Sequence, residues 1–191
     1  KQEVIIKQQE LPYENQIETG RSVVLIQKAG LYPNHNFIDH ETNKQKHLLD
    51  AATAKFSTLS PVQAYKARNN GICNPASDKD IKKLFHEFLG VPATQTSFDE
   101  SFLSTRTSCS VSQQLLEVRE FAKIYGTYLA KINPHCSHDN AGKNIWPDGL
   151  IHCIFNTMRT ATGRLSSDSP NMQNWPKKNG KVFLREAIAA P

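Results

Sequence analysis

Residues 160–176 read Thr160-Ala161-Thr162-Gly163-Arg164-Leu165-Ser166-Ser167-Asp168-Ser169-Pro170-Asn171-Met172-Gln173-Asn174-Trp175-Pro176. The stretch is mainly polar, irregular and rich in long hydrogen-bonding side chains. Arg164 offers a planar fork of donors, while Gln173 and Asn174 offer amide donors and acceptors. Gly163 lets the backbone pass close to a partner. Pro170 and Pro176 stiffen the ribbon and reduce the entropy lost when it orders. Such groups suit the minor groove of a duplex, where every Watson–Crick pair presents purine N3 and pyrimidine O2 acceptors. A surface that uses only those acceptors tests pair geometry and ignores sequence.

Working outward, Leu150 to Asn156 alternates, with Ile151, Cys153 and Phe155 on one side and His152 and Ile154 on the other. That pattern predicts a strand. Residues 133–149 read as a loop. Before it, the longest helix is expected from Ser112 to Ile132, with Leu115, Val118, Ala122, Tyr125 and Leu129 as its apolar stripe. Arg119, Lys123, Thr127 and Lys131 recur at strict i+4 spacing and share one flank of such a helix. The row sets cationic groups and a hydroxyl in line for successive phosphate oxygens. Taken alone, a solvated polar face is its plainer reading. Residues 93–110, rich in Ser and Thr, read as a loop.

Ser77 and Asp80 open a helix in the manner of a capping box, with Asp in place of Glu. Ile81, Leu84, Phe85 and Phe88 follow at helical spacing, and Gly90 and Pro92 close it. Further upstream, helices are expected over Pro61–Arg68 and His40–Lys55. Leu31-Tyr32-Pro33 reads as a short extended piece. The opening helix has Pro12 in its first turn and Gly30 as its stop, with Tyr13, Ile17, Gly20 and Val24 on one face. At the other end, Lys181–Ala190 reads as a strand or short helix. The expected fold class is α+β, mostly helical to Ile132 with strands after Leu150.

Composition agrees with a globular protein. The chain has 191 residues, 38% apolar and 21% charged, with a mean hydropathy of −0.52. No run approaches the roughly 18 apolar residues of a membrane span. The start, Lys1-Gln2-Glu3, has no apolar signal segment and no Met, and reads as that of a fragment or processed chain. The four cysteines are widely spaced, which suits reduced thiols. Net charge is +5, but Arg119–Arg185 carries ten Lys/Arg against four Asp/Glu, and the remainder thirteen against fourteen. The positive excess in the C-terminal third fits a polyanion-facing surface or a solvated basic face.

The string Thr-Ala-Thr-Gly-Arg-Leu-Ser-Ser followed by Pro-Asn-x-Gln-Asn-x-Pro resembles the family A DNA polymerases, bacterial and phage-type. Leu150-Ile151-His152 through Phe155-Asn156 resembles the strand before that motif. Arg119, Lys123 and Gly126-Thr127-Tyr128 resemble the family's long thumb helix. Asn74-Pro75 to Pro92 resembles the base of the thumb, and Glu10–Leu31 the opening helix of the polymerase domain. Arg185-Glu186-Ala187-Ile188-Ala189-Ala190 resembles the Arg-x-Ala-Phe-x-Ala that ends the block. The resemblance implies a start of the polymerase domain at 1–44, a helical thumb at 45–135 and the first palm strands with a primer–template loop at 136–191.

By position, the resemblance implies that Arg164 and Gln173 contact the primer–template minor groove, supported by Asn171 and Asn174. Arg119, Lys123, Thr127 and Tyr128 would grip the duplex backbone. Lys178 and Arg185 would add phosphate contacts, Lys178 standing where many relatives have Arg and lacking its fork. Trp175 replaces the usual Ile and is expected to pack. Primer–template DNA and deoxynucleoside triphosphates are the implied partners, with Mg2+ as the parent enzyme's cofactor. No catalytic or metal-binding residue is expected here, because the metal-binding aspartates of the family follow the Arg-x-Ala block. The piece is expected to bind DNA but not to polymerise alone, and its setting to be cytoplasmic or nucleoid-associated.

Other readings are weaker. His135, Cys136, His138, Asp139, His152 and Cys153 match no standard zinc spacing. Ser166 or Ser167 with His152 and Asp168 lacks a nucleophile elbow. Gly142-Lys143 lacks the rest of a phosphate loop. A stand-alone, non-catalytic duplex-binding module remains the alternative to a polymerase segment.

Overall fold

A computed structural model describes the backbone of residues 2–157, 164–175 and 182–189, and the side chains of these from residue 14 onward. Helix α1 spans Gln2–Ala29, strand β1 Tyr32–Pro33, α2 His35–Thr58, α3 Ser60–Arg68, α4 Asp78–Phe88, α5 Glu100–Thr105 and α6 Ser110–Ala122. A π-helical segment, Lys123–Leu129, and a 3-10 turn, Ala130–Ile132, continue α6. Strands β2 (Ile154–Asn156) and β3 (Ser166–Asp168) follow, then a 3-10 turn at Leu184–Ala187 and strand β4 (Ile188–Ala189). The fold is α+β, as the sequence predicts. No helix among the described residues is long and apolar enough to cross a membrane.

The chain divides into two units: Lys1–Asp39 with Ala130–Pro191, and His40–Leu129. The second is a helical core. Ile81, Leu84 and Phe85 turn one face of α4 inward and are fully buried. Phe56, Val62, Tyr65, Leu103, Val111 and Leu115 close around them. The start of α4 differs in detail from a capping box. Ser77 Oγ accepts from Asp80 N at 3.3 Å, as expected. The Asp80 carboxylate, one methylene shorter than Glu, does not reach back to Ser77. It accepts instead from Asn74 N at 2.9 Å and from Tyr65 Oη at 3.2 Å. Burial, with Asp80 beside it, pushes the Tyr65 hydroxyl up to about 12.

Residues 93–110 are not all loop. Asp99 accepts from Phe102 N at 2.9 Å and starts the short helix α5. The polar composition hides two apolar anchors. Phe98 sits 4.9 Å from Phe85 and 5.2 Å from Phe102, ring centre to ring centre.

In the first unit, α1 begins well before Pro12, which therefore lies inside the helix and not in its first turn. The surrounding Gln, Glu, Lys and Leu are good helix formers and outweigh one proline. The expected apolar face also shifts. Val23 is buried, whereas Ile17 and Val24 are 40% and 61% exposed; the Tyr13 side chain lies outside the described residues. Gly30 ends the helix at φ +70, and a Cβ there would meet His152 Cε1 at 2.9 Å. Beyond it Leu31 and Ile151 exchange backbone bonds of 2.9 and 3.0 Å. The predicted strand over Leu150–Asn156 is shorter in the structure: Ile151 makes only that bridge, and regular pairing begins at Ile154.

Antiparallel β1–β4 pairs Tyr32 with Ala189 and Pro33 with Ile188. Antiparallel β2–β3 pairs Ile154 with Asp168, Phe155 with Ser167 and Asn156 with Ser166. The residues before β2 are held by His152. Its Nδ1 lies 2.6 Å from the Gln27 carbonyl and its Nε2 2.8 Å from Asp148 Oδ2. Two acceptors favour the doubly protonated ring. The Gln27 carbonyl first, and then Asp148, raise its pKa above the ordinary value. Asp148 is held low, chiefly by the Leu150 N–H and then by His152.

A raised folded-state pKa gives stability that is complete below the unfolded value and lost as pH rises through the folded one. The lowered Asp148 value gives the opposite: its contribution is lost as pH falls through the folded value. The pair therefore acts fully between the unfolded-state values of Asp148 and His152, and fades outside them as pH passes the folded-state values. In an NMR titration, His152 should titrate above a free histidine, and Asp148→Asn should bring its midpoint down. A wild-type midpoint at or below that of a free histidine would reject this.

Candidate nucleic-acid interface

The motif's described part, residues 164–175, is a loop tied to β3 through a single buried residue. Ser167 is 4% exposed. Its backbone N–H donates to Gln173 Oε1 at 2.8 Å. Its hydroxyl donates to Asn171 Oδ1 at 3.0 Å and accepts from Gln173 N at 3.1 Å. Asn171 Oδ1 also accepts from Asn174 N at 3.1 Å. Pro170 and Trp175 are buried and anchor the loop's middle and its last residue, so Trp175 packs as the sequence suggests.

These bonds decide what the loop can offer. The side-chain oxygens of Asn171 and Gln173 both accept bonds inside the loop, so the NH2 group of each is the end those bonds leave unengaged. Each is a two-hydrogen donor with no acceptor character. Asn171, Gln173, Asn174 and Arg164 are all exposed. Arg185 is exposed too, on the 3-10 turn at Leu184–Ala187. Asn34 steadies that turn: its N–H donates to Ala187 O at 2.8 Å and its Nδ2 to Glu186 O at 3.2 Å. Lys178, Gly163 and Pro176 lie outside the described residues.

The remaining candidates belong to the second unit. Lys123 and Thr127 are exposed, while Arg119 and Tyr128 are half-buried. The predicted i+4 row crosses from α6 into the π-helical segment. From Lys123 onward the chain takes π-helical bonding, i to i+5, which widens each turn, so the row runs through a change of helical period. Gly126 and Thr127, both weak helix formers, lie within that segment. Arg119 is also engaged within its own unit. Its Nη1 donates to the Phe98 carbonyl, and its Nη2 is 3.8 Å from Asp78 Oδ1. A cleft of about 360 Å³ surrounds it, with Asp78 and Asp99 on its wall beside Lys82. Two carboxylates offset part of its pull on a phosphate, so Lys123 is the less encumbered cation.

The structure also bears on the alternatives. Ser167 is bonded to Asn171 and Gln173, and His152 to Gln27 and Asp148, so they do not form a nucleophile–base pair with each other. Cys136 Sγ faces the carbonyls of Asn133 and Ala130 at 3.4 and 3.8 Å. Sequence reasoning named Ser167 only as a nucleophile. Its actual bonds span four and six residues in sequence, and only the folded hairpin brings those groups together.

Comparisons with known proteins bear on the family and the fold. The family model described as DNA polymerase family A matches residues 42–191. The DNA polymerase of Escherichia phage T5 is 28% identical over 154 residues, covering 76% of this chain and 17% of the phage protein. The thermostable DNA polymerase I of Thermus aquaticus is 31% identical over 126 residues, 61% of this chain and 14% of that protein. DNA polymerase I of Helicobacter pylori is 34% identical over 113 residues, 58% of this chain and 12% of that protein. The chain thus spans less than a fifth of the length of these relatives. The solved POL domain of Pol1 from M. smegmatis, in complex with DNA primer-template and dNTP, has the same fold. It aligns with a TM-score of 0.68 at 22% identity, covering 90% of this chain and 28% of that one.

Proposed function

Since this chain belongs to DNA polymerase family A, we propose that it is the primer–template-holding segment of a template-directed DNA polymerase. The parent enzyme adds deoxynucleotides to a primer 3′ end and releases pyrophosphate. Residues 45–135 serve as its thumb, and residues 136–191 as the first palm strands with the duplex-reading loop. The observation that carries this reading is the loop at 164–175, in which the side-chain oxygens of Asn171 and Gln173 accept bonds from Ser167, so that their NH2 groups would be the donors offered to a partner. Donors alone match the N3 and O2 acceptors shared by every pair in the minor groove.

Arg164 and Gln173 are the direct readers, and Asn171 and Asn174 complete the surface. Lys123, Thr127, Tyr128, Arg119, Lys178 and Arg185 hold phosphates. Such contacts position the duplex without reading sequence. Deoxynucleoside triphosphate and Mg2+ belong to the parent enzyme. Among the described residues, no group of three or more His, Cys, Asp and Glu side chains converges to hold a metal ion. The segment's own contribution is binding and alignment, and the setting is intracellular, with the nucleoid.

The test is the salt dependence of binding. Each neutralised phosphate contributes about −0.9 to the slope of log K against log salt. Three or four such contacts predict that raising salt fourfold weakens primer–template binding roughly 40- to 150-fold. Titration of the 191-residue chain onto a labelled recessed duplex measures this. An affinity that does not change with salt would reject the reading.

A further inference from the structure

We propose that Ser167 is a positioning residue that holds the reading amides with their donors outward; this rests on the duplex-reading assignment above. An isolated amide side chain can turn end for end, exchanging its oxygen for its NH2. Presented to the minor groove oxygen first, Gln173 or Asn171 would set acceptor against acceptor. The structure removes that alternative through one buried residue. The Ser167 N–H takes Gln173 Oε1 at 2.8 Å, and the Ser167 hydroxyl takes Asn171 Oδ1 at 3.0 Å.

The hydroxyl does more than donate. It accepts from Gln173 N at 3.1 Å while giving its hydrogen to Asn171. A relay thus runs from the Gln173 backbone through Ser167 to Asn171, where the Asn174 N–H also ends at 3.1 Å. Bonds in such a chain polarise one another and stiffen the whole. The position needs a group that accepts and donates at once within a buried strand site opposite Phe155. Serine and threonine satisfy this; alanine cannot, and cysteine is a weak donor.

The test uses duplexes in which 3-deazaguanine replaces guanine at each of the pairs nearest the primer end. The analogue has C–H where guanine has N3, so one groove acceptor is lost and nothing else in the pairing changes. Binding of the 191-residue chain is measured by fluorescence anisotropy. Wild type should lose roughly tenfold in affinity at the contacted pair. Ser167→Ala keeps the backbone N–H that orients Gln173 and removes the hydroxyl that orients Asn171, so its loss on substitution should fall below about twofold at the pair Asn171 contacts and stay at the wild-type level at the pair Gln173 contacts. Ser167→Thr should keep the wild-type sensitivity. Ser167→Cys, nearly isosteric, should behave like the alanine variant, and carries the test if Ser167→Ala does not fold. The salt slope should be the same in all of them, because the phosphate contacts are untouched; a general loosening of the chain would not spare it.

If Ser167→Ala and Ser167→Cys keep the full sensitivity to 3-deazaguanine at every pair, the positioning role is overturned while groove reading stands. If wild type itself is indifferent to the analogue at every pair, groove reading fails and this inference falls with it.

Discussion

Phe85→Ala should destabilise the unit formed by residues 40–129 by about 3–5 kcal/mol, the range for removing a buried phenyl ring from a close-packed core. Phe85 is fully buried at the centre of that unit. It lies 4.9 Å from Phe98 and 6.3 Å from Phe102, whose rings meet each other edge to face. With fully buried Leu103 these two anchor residues 93–110, so the cavity would undercut α4, α5 and the Phe98 carbonyl that Arg119 binds. Hydrogen exchange of the Leu115 and Val118 amides measures the effect locally, which matters in a chain of two units. Phe88 provides the control. It is half-buried, with Arg68 over its ring at 5.1 Å, and its replacement should cost clearly less. A loss below about 1 kcal/mol at Phe85 would show that the aromatic cluster is not this unit's keystone.

The elements most legible in the sequence are those in which a local pattern and its packing agree. In α4 the spacing of Ile81, Leu84 and Phe85 and the cap at Ser77 both survive, because each depends on neighbours within a turn or two. Helix α5 was hidden for the opposite reason. Its cap, Asp99, is local, but its stability comes from Phe98 and Phe102 reaching Phe85, and that contact crosses the chain. Alternation over residues 150–156 overstated the strand, since alternation marks two-sidedness and pairing needs a partner. Leu31 supplies one bond pair and β3 supplies three partners further on. The i+4 row assumed one helical period to Ile132, and the π segment changes that period. At the site, residue types were readable and their orientation was not. Nothing local in Asn171 or Gln173 says which end of the amide faces Ser167.

Arg164→Ala, in the polymerase that contains this segment, should slow extension of a correctly paired primer by roughly one to two orders of magnitude. The magnitude follows from a groove contact worth about 1–3 kcal/mol, with about 1.36 kcal/mol per tenfold in rate. The residue is exposed two positions before β3, on the ribbon that Ser167 ties down. In the proposed reading, a guanidinium there would meet a purine N3 or pyrimidine O2 only when the terminal pair has Watson–Crick geometry. The contact would then be given to the matched end and withheld from most mismatches. Removing it should slow matched extension more than mismatched extension, and so lower discrimination as well as rate. Arg164→Lys separates charge from shape. It keeps the cation but loses the planar fork, so it should retain binding and its salt slope while recovering only part of the rate. Single-turnover extension from matched and mismatched ends measures all of this. Wild-type rates in Arg164→Ala, or an equal loss at both kinds of end, would remove Arg164 from the reading surface.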